Sequence, residues 1–365
     1  MAHLKRKSLA VDFRMCRASG IGTYIRNIIP FLTDSFDITL LGCEEDIKAF
    51  PWADKVKIIE ASSKIYSVSE QIELFRKIPD CDVFWSPHYN VPVLPIRAKK
   101  RIVTVHDAYH LAAESGIFSP VQRMYAKFVM RRAVSVSDAV LTVSEFSKAE
   151  ILKYCPSEPA KIKVVFNAVD EKQFSGDKNS DVIKKYSLPE DYILFVGNVK
   201  PNKNLITLLK ALELMSGVNL VIVGRKDGFI TGDSAVAEMV NGSESLKSRV
   251  FFTGYADDKD IPSIYASASV FVFPSLYEGF GIPPLEAQAC GCPVVSSPAA
   301  SLREVCGGSV IYCDPMSSED IAEKVMKVRG SAELRAELIE KGYDNIRRFG
   351  WQKSAEQIRD IIKGM

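Results

Sequence analysis

Short apolar runs alternate with polar or amphipathic stretches along the first half of the chain. The runs are rich in β-branched and aromatic residues, which is typical of strands buried on both faces of a parallel sheet. They lie at 8–13, 37–41, 56–60, 83–86, 101–106, 139–143 and 163–166. The stretches between them suit helices and loops, so the pattern predicts βα units and a mostly parallel sheet.

The same alternation restarts in the second half. Strands are predicted at 192–197, 250–253 and 270–273, and the run 220–228 combines a strand with its glycine turn. Between the halves, the polar segment 172–188 has the composition of a linker. We therefore predict domains at 1–175 and 176–345. An amphipathic C-terminal helix is predicted over 346–365.

Composition narrows the class of protein. A chain of 365 residues with 47% hydrophobic and 25% charged residues fits two globular domains. Its 47 basic and 45 acidic residues give a net charge of +2, which argues against nucleic acid as a partner. The eight cysteines form no C-x-x-C pair, so we expect buried free thiols in a reducing cytosol. With neither a signal peptide nor an apolar run of roughly 18 residues, the sequence predicts a cytoplasmic protein.

The stretch 270–297, VFVFPSLYEGFGIPPLEAQACGCPVVSS, carries the candidate chemistry. It predicts a buried strand, a glycine-rich loop containing Glu278, a helix opened by two prolines, and a second strand. The helix would direct its free amides and positive dipole end into the loop, which favours a phosphate. Glu286 is placed in the first turn of that helix. Two carboxylates beside a phosphate cradle suit a nucleotide-linked sugar.

Two further loops follow predicted strands. Lys200 and Lys203 precede the helix after strand 192–197, where positive charges oppose the helix dipole unless an anion lies between them. This conflict favours phosphate binding, with a solvated loop as the alternative. Gly20 and Gly22 follow the first strand, and they serve either the turn alone or a loop that lines a ligand site.

Three of the four histidines, His88, His106 and His110, fall within 23 residues. His106 and His110 span a strand end rather than a helix face, so we reject a metal site. His106 comes at the carboxyl end of a strand, the usual ligand position in open α/β sheets; a strand-end histidine with satisfied hydrogen bonds is the alternative. Asp107 is expected to orient a neighbour or cap a turn.

The stretch SLYEGFGIPPLEAQACGCPVV resembles the E-x7-E signature of retaining glycosyltransferases with the GT-B fold, in the large family numbered four. The resemblance extends from the glycine loop near 20 to the tail helix. It implies an α/β fold of two Rossmann-like parallel-sheet domains facing across a cleft, with the N-terminal domain on the acceptor side and the C-terminal domain binding the nucleotide-sugar donor. It also implies a final helix that crosses back to the N-terminal domain, with Trp351 at the crossing.

The same resemblance implies a reaction and a set of site residues. A hexose would pass from a nucleotide sugar with retention of configuration, through front-face attack, with neither metal nor cofactor. Glu278 would hold the sugar hydroxyls, Lys203 the diphosphate, and His106 the donor sugar. The implied donor-binding residues are Gly20, Gly22, Asn198, Lys200, Arg225, Tyr255, Gly279, Phe280, Gly281, Leu285 and Glu286. Among them, Glu286 would bind the ribose, Tyr255 the base, and the amides of 281–286 the diphosphate.

The chain departs from the family pattern at one point. Relatives place an arginine directly after the glycine of strand 192–197 or directly before the lysine, whereas this chain has Asn198 and Asn202. The second cation at the diphosphate would then be Lys200 or Arg225.

The segments SPHYNVP and HDAYH together resemble bacterial O-antigen and exopolysaccharide mannosyl- or rhamnosyltransferases. This favours GDP-mannose as the donor, with UDP- and dTDP-sugars as alternatives. The acceptor would be a saccharide or lipid-linked saccharide. The predicted basic helix 118–137 serves either as a solvated face or as a contact to anionic lipid at the inner face of the cell membrane.

Two other function classes stay open. A nucleotide-sugar epimerase would turn over the donor without an acceptor, and a GT-B phosphorylase usually needs a lysine-bound pyridoxal phosphate in a far longer chain. A non-catalytic nucleotide-binding module would not need both His106 and Glu278.

Overall fold

The computed structural model describes residues 6–112, 117–224 and 234–365. The chain forms two compact units. The first runs to Asn167 and includes Trp351–Met365, and the second is Ala168–Gly350. Arg225 of the predicted donor site lies outside the described residues.

The first unit alternates strands and helices from its start. Its strands are β1 Ser8–Asp12, β2 Asp37–Gly42, β3 Lys57–Glu60, β4 Cys81–Ser86, β5 Ala98–Thr104, β6 Ala139–Thr142 and β7 Ile162–Val164. Its helices are α1 Ile21–Leu32, α2 Glu44–Lys48, α3 Val68–Lys77, α4 Tyr109–Ala112, α5 Pro120–Val136 and α6 Glu145–Tyr154. Short 3₁₀ turns occupy Ala53–Lys55 and Pro159–Lys161.

The second unit repeats this alternation. Its strands are β8 Ile193–Val196, β9 Leu220–Val223, β10 Val250–Gly254, β11 Val270–Phe273, β12 Val294–Ser296 and β13 Ile311–Tyr312. Its helices are α7 Ser180–Lys185, α8 Leu205–Leu214, α9 Ser234–Gly242, α10 Glu244–Arg249, α11 Ile261–Ser267, α12 Ile282–Ala289, α13 Leu302–Cys306, α14 Ser318–Gly330 and α15 Ala332–Ile346. A 3₁₀ turn lies at Pro201–Lys203, and the last helix, α16 Trp351–Gly364, belongs to the first unit.

Each unit is built on one parallel sheet. Among the described residues, the first sheet has seven strands in the order β3-β2-β1-β4-β5-β6-β7, and the second has six in the order β10-β9-β8-β11-β12-β13. This order is that of a Rossmann fold, and the direction of winding reverses between β1 and β4 and between β8 and β11. The predicted strands and both parallel sheets are confirmed.

These reversal points matter for function because ligands bind there in open α/β sheets, outside the carboxyl ends of the strands. In the second unit, the loops after β8 and β11 carry Lys203 and Glu278. In the first unit, Asp12 ends β1, and His88 follows two residues after β4. Each unit therefore places polar residues at its own reversal point.

The helix α16 packs on α1 within the first unit. Trp351 at its start lies edge-on to Tyr24, with ring centroids 6.3 Å apart. At its end, the Lys7 ammonium donates to the carbonyls of Ile362 and Lys363 at 3.2 and 3.0 Å. A basic group at a helix C-terminus is favourable there, since the last carbonyls lack partners within the helix.

The segment 172–188, which the sequence analysis treats as a linker, lies within the second unit. It contains α7, and Phe174, Val182 and Leu188 are buried. The division by contacts falls between Asn167 and Ala168, eight residues before the predicted boundary at 175. The polar residues around these three apolar anchors gave the segment its linker-like composition.

In the described parts of the chain, no helix is both long enough and apolar enough to cross a bilayer.

Candidate functional site

The loops after β8 and β11 are bonded to each other at the reversal point of the second sheet. The Leu276 amide donates to the Asn202 carbonyl at 2.8 Å, and the Asn202 side-chain amide donates to the Tyr277 carbonyl at 3.0 Å. These reciprocal bonds hold the 3₁₀ turn that contains Lys203 against the loop that contains Glu278. The asparagine that replaces the family's arginine therefore joins the two loops.

Lys203 and Glu278 form an ion pair, with 2.5 Å between Nζ and Oε1. The two side chains are only 16% and 13% exposed, and the ammonium also lies 5.0 Å from the centre of the Phe273 ring. The charge conflict noted for Lys203 is thus met by a carboxylate of the protein itself. Paired in this way, each charge holds the other at a defined place at the edge of the sheet.

Asn204 links a third loop to this edge. It takes the left-handed conformation with φ 58°, and its side-chain amide donates to the carbonyls of Pro274 and Pro315 at 3.2 and 2.7 Å. The Thr207 hydroxyl donates to its oxygen at 2.6 Å. Asn204 therefore joins the loops that follow β8, β11 and β13.

Ser301 fixes the backbone of the glycine-rich loop through hydrogen bonds. Its buried hydroxyl lies 2.9 Å from the carbonyls of both Glu278 and Phe280. The Phe280 ring is itself buried and packs edge-on to Phe349 at 5.4 Å. The side chain of Phe280 is thus part of the core, so the role predicted for this residue can involve only its backbone.

The opening of α12 offers fewer amides than the sequence suggests. Gly281 is the N-cap with φ 94°, and Pro283 and Pro284 at the second and third helical positions have no N–H. The amides of Gly281 and Ile282 remain as the donors at this terminus. Leu285 lies inside the helix with a fully buried side chain. Of the amides predicted at 281–286 to bind the diphosphate, only those of Gly281 and Ile282 therefore lack a partner within the helix.

Glu286 is the fifth residue of α12, and the first turn of this helix contains no acidic residue. Its predicted place in the first turn is wrong, because the helix begins at Ile282, before the two prolines. The Tyr265 hydroxyl donates to Glu286 at 2.9 Å. Burial, together with the charge of Asp258, raises the pKa of Glu286 to about 7.

Asp258 also connects Glu286 with the proposed base contact. The Tyr255 hydroxyl donates to Asp258 at 3.3 Å, and the Tyr255 ring is 63% exposed. An exposed ring that bonds to a carboxylate suits a nucleoside, whose base can stack while its ribose hydroxyls donate. The sequence analysis missed Asp258 and Tyr265, since neither falls in the resembled motifs.

Gly224 directly follows β9, and its backbone lies against that of Gly197, which directly follows β8. A Cβ at Gly224 would lie 2.1 Å from the Gly197 carbonyl oxygen, so no other residue fits there. Asn198 and Lys200 follow Gly197 on the loop that precedes Lys203, and both are partly exposed. Their place at this edge agrees with the predicted neighbourhood of Lys203.

In the first unit, the glycine turn opens α1. Gly20 is the N-cap with φ 66° and no atom near its missing side chain. Gly22 is buried, and a Cβ there would lie 2.5 Å from the Cys16 carbonyl oxygen. The close approach of the preceding loop accounts for Gly22, whereas Gly20 leaves open space beside the turn.

His106 follows β5 and is partly buried. Its Nε2 lies 2.9 Å from the Pro87 carbonyl, and the Tyr24 ring meets it edge-on at 5.0 Å. Burial lowers the pKa of His106 below its ordinary value, so the ring is neutral near pH 7. Since a carbonyl can only accept, the proton belongs on Nε2 and leaves Nδ1 as an acceptor.

A buried ionic network occupies the reversal point of the first sheet. The Arg14 guanidinium binds Asp12 at 2.6 Å and Glu70 at 2.7 Å, and His88 Nε2 lies 3.2 Å from Asp12. The Asn90 side chain donates to Glu70 at 2.7 Å. Burial alone would raise the pKa of Asp12, but its bonds to Arg14 and His88 hold that pKa far below the usual range.

This ionic network (Asp12, Arg14, Glu70, His88 and Asn90) was not predicted, apart from His88 as a candidate. The one available signal was an aspartate that closes an apolar strand two residues before an arginine. Asp107 accepts the Tyr109 amide at 2.9 Å, which confirms its expected role in a turn. Within 6–112, 117–224 and 234–365, no group of three or more His, Cys, Asp or Glu residues is placed to hold a metal ion.

Both units match known glycosyltransferase families. Residues 178–345 match the family described as "Glycosyl transferases group 1", and residues 18–173 match "Glycosyltransferase Family 4". The chain belongs to glycosyltransferase family 4. The resemblance found in the sequence is thereby confirmed.

Curated relatives of this glycosyltransferase include O-antigen mannosyltransferases. It is 29% identical over 279 residues to O-antigen chain mannosyltransferase B of Escherichia coli, covering 74% of this chain and 72% of that protein. It is 29% identical over 253 residues to O-antigen chain mannosyltransferase RfbU of Salmonella typhimurium, covering 69% and 66%. Identity to the serotype-specific mannosyltransferase WbdA of Escherichia coli is 28% over 60% of this chain, but the chain spans only 28% of that relative.

Solved structures share the fold of this glycosyltransferase. Anabaena HepE, crystallised with UDP and glucose, has a TM-score of 0.80 at 16% identity, with 99% of this chain and all of that chain covered. WaaG, a glycosyltransferase involved in lipopolysaccharide biosynthesis, has a TM-score of 0.73 at 16% identity, with 98% and 100% covered. At these identities the likeness establishes the fold alone, and it confirms the GT-B prediction of two Rossmann-like domains.

Proposed function

We propose that this glycosyltransferase moves a hexose, with mannose favoured, from a nucleotide-diphosphate sugar to a saccharide or lipid-linked saccharide in bacterial surface polysaccharide synthesis. The main support within the structure is the Lys203–Glu278 pair, held by neighbouring loops at the reversal point of the second sheet. The names of the O-antigen mannosyltransferase relatives support mannose and GDP-mannose; UDP- or dTDP-sugars are the alternatives.

The second unit has the groups that a departing nucleoside diphosphate needs. Negative charge grows on the diphosphate oxygens as the sugar leaves, and fixed donors stabilise it without reorganising. In this proposal Lys203 supplies the cation, while the amides of Gly281 and Ile282 and the α12 dipole supply the remaining stabilisation. Glu278, fixed by Lys203, would accept hydrogen bonds from the sugar hydroxyls.

The nucleoside would lie along Glu286 and Tyr255. The Glu286 carboxylate would accept the ribose hydroxyls, with Tyr265 holding its second oxygen, and the exposed Tyr255 ring would stack on the base. His106 keeps its predicted role at the donor sugar, and its neutral ring offers Nδ1 as an acceptor to a hydroxyl.

Retention and metal independence belong to the same proposal. With Glu278 engaged by Lys203, front-face attack by the acceptor hydroxyl needs no covalent carboxylate nucleophile. The one-bond coupling between C1 and H1 of the transferred sugar, which differs between the two anomers even for mannose, would establish retention, and undiminished turnover in EDTA would establish metal independence. An inverted product or a lasting loss of turnover in EDTA would contradict these points.

The decisive experiment compares nucleoside diphosphate binding and transfer in variants of the ion pair. Lys203→Met removes one charge-assisted contact, so we expect about 10- to 100-fold weaker nucleoside diphosphate binding by calorimetry. Glu278→Ala should abolish transfer, although binding of the nucleotide persists. Lys324→Met, which removes another carboxylate-paired lysine of the second unit, is the matched control.

Acceptor dependence separates the alternatives. A transferase releases nucleoside diphosphate in proportion to added acceptor, an epimerase converts the donor without one, and a binding module shows no turnover. Undiminished transfer by Glu278→Ala would contradict the site assignment.

We also propose a contact with anionic lipid, through an apolar face on α3 and α5. The exposed side chains of this face recur at helical spacing: Val68, Ile72, Phe75, Val121, Met124 and Phe128. The two helices are linked by Val93, whose amide donates to Gln71 at 2.7 Å and whose carbonyl accepts from Arg132 at 3.4 Å. Exposed apolar patches of this kind mark interaction sites.

The charge of α5 favours a lipid surface as the occupant of this apolar face. The helix contains four basic residues, Arg123, Lys127, Arg131 and Arg132, and no acidic residue. Each basic residue near an anionic leaflet contributes about 1 kcal/mol. Met124→Ser with Phe128→Ser should abolish flotation with phosphatidylglycerol vesicles, whereas Met326→Ser on α14 should not. Unchanged flotation of the double variant would refute the contact.

A further inference from the structure

Three tyrosines gather at the rim of the ionic network in the first unit. The Tyr66 ring lies 6.3 Å from the Tyr89 ring and 6.4 Å from the Tyr125 ring, measured between centroids. The side chain of Tyr66 is 50% exposed and that of Tyr125 is 43% exposed, while Tyr89 is partly buried. Aromatic rings of this size are normally buried, so a cluster that meets solvent indicates a contact surface.

The ionic network beneath holds these rings in place. Tyr66 adopts φ 66°, an uncommon conformation for a bulky residue, and its amide donates to Glu70 at 2.8 Å. The Tyr125 hydroxyl donates to Asn90 at 3.4 Å, and Asn90 itself donates to Glu70. Hydrogen bonds to the ionic network therefore fix the positions of Tyr66 and Tyr125. Because the left-handed conformation of Tyr66 costs free energy, its presence here indicates a functional role.

Carboxylate oxygens border the tyrosines. Glu70 accepts the Tyr66 amide at 2.8 Å, and burial, with the charges of Glu70 and Asp107, raises the pKa of Tyr66. Asp107 likewise contributes to the raised pKa of Tyr89. Asp107 is the residue next to His106, so the cluster extends along the carboxyl edge of the sheet to the predicted sugar contact.

This combination of groups fits one kind of ligand. A sugar ring presents apolar C–H faces that pack on aromatic rings and hydroxyls that donate to phenols and carboxylates. The negative charges of Glu70 and Asp107 disfavour a diphosphate at this place, and the network already pairs the cation Arg14 with two carboxylates. A neutral saccharide is therefore favoured over a nucleotide.

We propose that Tyr66, Tyr89 and Tyr125 form a platform that binds a sugar residue of the acceptor. This inference rests on the proposed transferase function and on the acceptor side that the resemblance implies for the first unit; what it adds is the three side chains that would contact the acceptor sugar. The platform adjoins the apolar face of α3 and α5, since Tyr66 directly precedes Ser67, the N-cap of α3, and Tyr125 lies on α5. A lipid-linked acceptor would thus meet both surfaces with one molecule.

Saturation-transfer NMR on the full chain tests the platform without any donor. The probes are methyl α-mannoside, methyl α-rhamnoside and methyl β-N-acetylglucosaminide. We expect saturation transfer to at least one glycoside, with an affinity that falls about tenfold or more in Tyr125→Ala and in Tyr66→Asn. Asparagine is chosen at 66 because it tolerates the left-handed conformation.

Controls separate a lost platform from a lost fold. Tyr125→Phe keeps the ring and should retain glycoside binding, and Tyr343→Ala removes an exposed tyrosine of the second unit and should change nothing. Nucleoside diphosphate affinity should stay within twofold of wild type in every variant. A platform variant that weakens both ligands equally would overturn the proposal, because it would report unfolding rather than a subsite.

Other outcomes also decide the matter. Absence of saturation transfer to all three glycosides, or equal transfer in Tyr125→Ala and wild type, overturns the platform. Loss of vesicle binding with unchanged glycoside binding in Tyr66→Asn would assign these tyrosines to the lipid surface instead. If glycoside binding depends on the tyrosines but added donor is never consumed, the platform stands and the transferase proposal fails.

Discussion

Glu286 is a residue whose chemistry follows from its surroundings more than from its motif. Burial of the carboxyl, together with the charge of Asp258, disfavours its ionised form and raises its pKa to about 7, although the hydrogen bond from Tyr265 opposes this rise. A free glutamate ionises near pH 4.5. The folded chain therefore binds this proton more tightly than the unfolded chain does, which makes stability depend on pH.

Replacing Glu286 by glutamine should expose this dependence. The stability contributed by the protonated carboxyl is complete below about pH 4.5 and lost as pH rises through 7. Wild type should therefore lose up to about 3 kcal/mol relative to Glu286→Gln between pH 5 and 8. Urea unfolding of both proteins at the two pH values measures it. Glu340→Gln, at an exposed position of α15, should keep the wild-type slope, and an identical slope for Glu286→Gln would refute the pKa assignment.

The sequence predicted which residues lie in the site better than it predicted which side chains contact each other there. The signature identified Glu278 and Lys203, but these residues are 75 positions apart, so their ion pair depends on how the loops fold together. Arg14 escaped prediction because its two carboxylate partners come from a strand end and from α3, and neither lies in a recognisable motif. Phe280 and Leu285 match the motif, but their side chains belong to the core, which the motif did not indicate.

The elements of the second unit are held in register at their ends by Asn204. Its side chain bonds to the loops after β11 and β13, while its backbone turns the chain into α8. Both the position of Lys203 and that of Glu278 depend on this junction.

Substitutions at Asn204 should separate its backbone role from its side-chain role. Asn204→Ala loses three side-chain hydrogen bonds and puts alanine, which tolerates the left-handed region less well than asparagine does, at φ 58°, so we expect about 3 kcal/mol of destabilisation. Asn204→Gly keeps the backbone conformation and should cost about 1 kcal/mol less than alanine. Asn219→Ala, which removes one exposed bond to Asp191, should cost under about 1 kcal/mol. Urea unfolding measures all three, and equal values for alanine and glycine would contradict the backbone part.

Strands were predictable and short helices were not. A parallel strand buried on both faces must be apolar throughout, so the runs at β1 to β11 are visible in the sequence and their ends deviate little. The six-residue helix α7 has only one buried residue, Val182, and its polar composition is that of a loop. Glu286 was wrongly predicted in the first turn of α12 for a related reason. Prolines restrict where a helix starts but do not fix its first residue.

On the scale of the whole molecule, the first unit depends on residues from both ends of the chain. Its helix α16 buries Trp351, Ile358 and Ile362, and Lys7 caps its end. All three tryptophans, Trp52, Trp85 and Trp351, fall within this unit. Tryptophan fluorescence therefore reports the unfolding of the first unit selectively.

A cavity made in α16 should destabilise the whole first unit, although α16 lies at the opposite end of the sequence from the rest of that unit. Ile358→Ala removes a fully buried side chain and should lower the free energy of unfolding of this unit by about 2–5 kcal/mol. Tryptophan fluorescence during urea unfolding measures this loss. Lys353→Ala, at an exposed position of the same helix, is the control and should change the midpoint little. A tryptophan transition that ignores Ile358→Ala would show that α16 does not stabilise the first unit.

The buried ionic network at the reversal point of the first sheet should limit how much nucleoside diphosphate each chain can bind. Both units have the strand order that receives nucleotides elsewhere, yet in one of them Asp12, Arg14 and Glu70 form buried ion pairs with each other at the reversal point. The duplicated architecture should therefore saturate at one equivalent of nucleoside diphosphate per chain, with a single-step isotherm. A second equivalent of comparable strength would mean that these buried ions yield to an incoming anion.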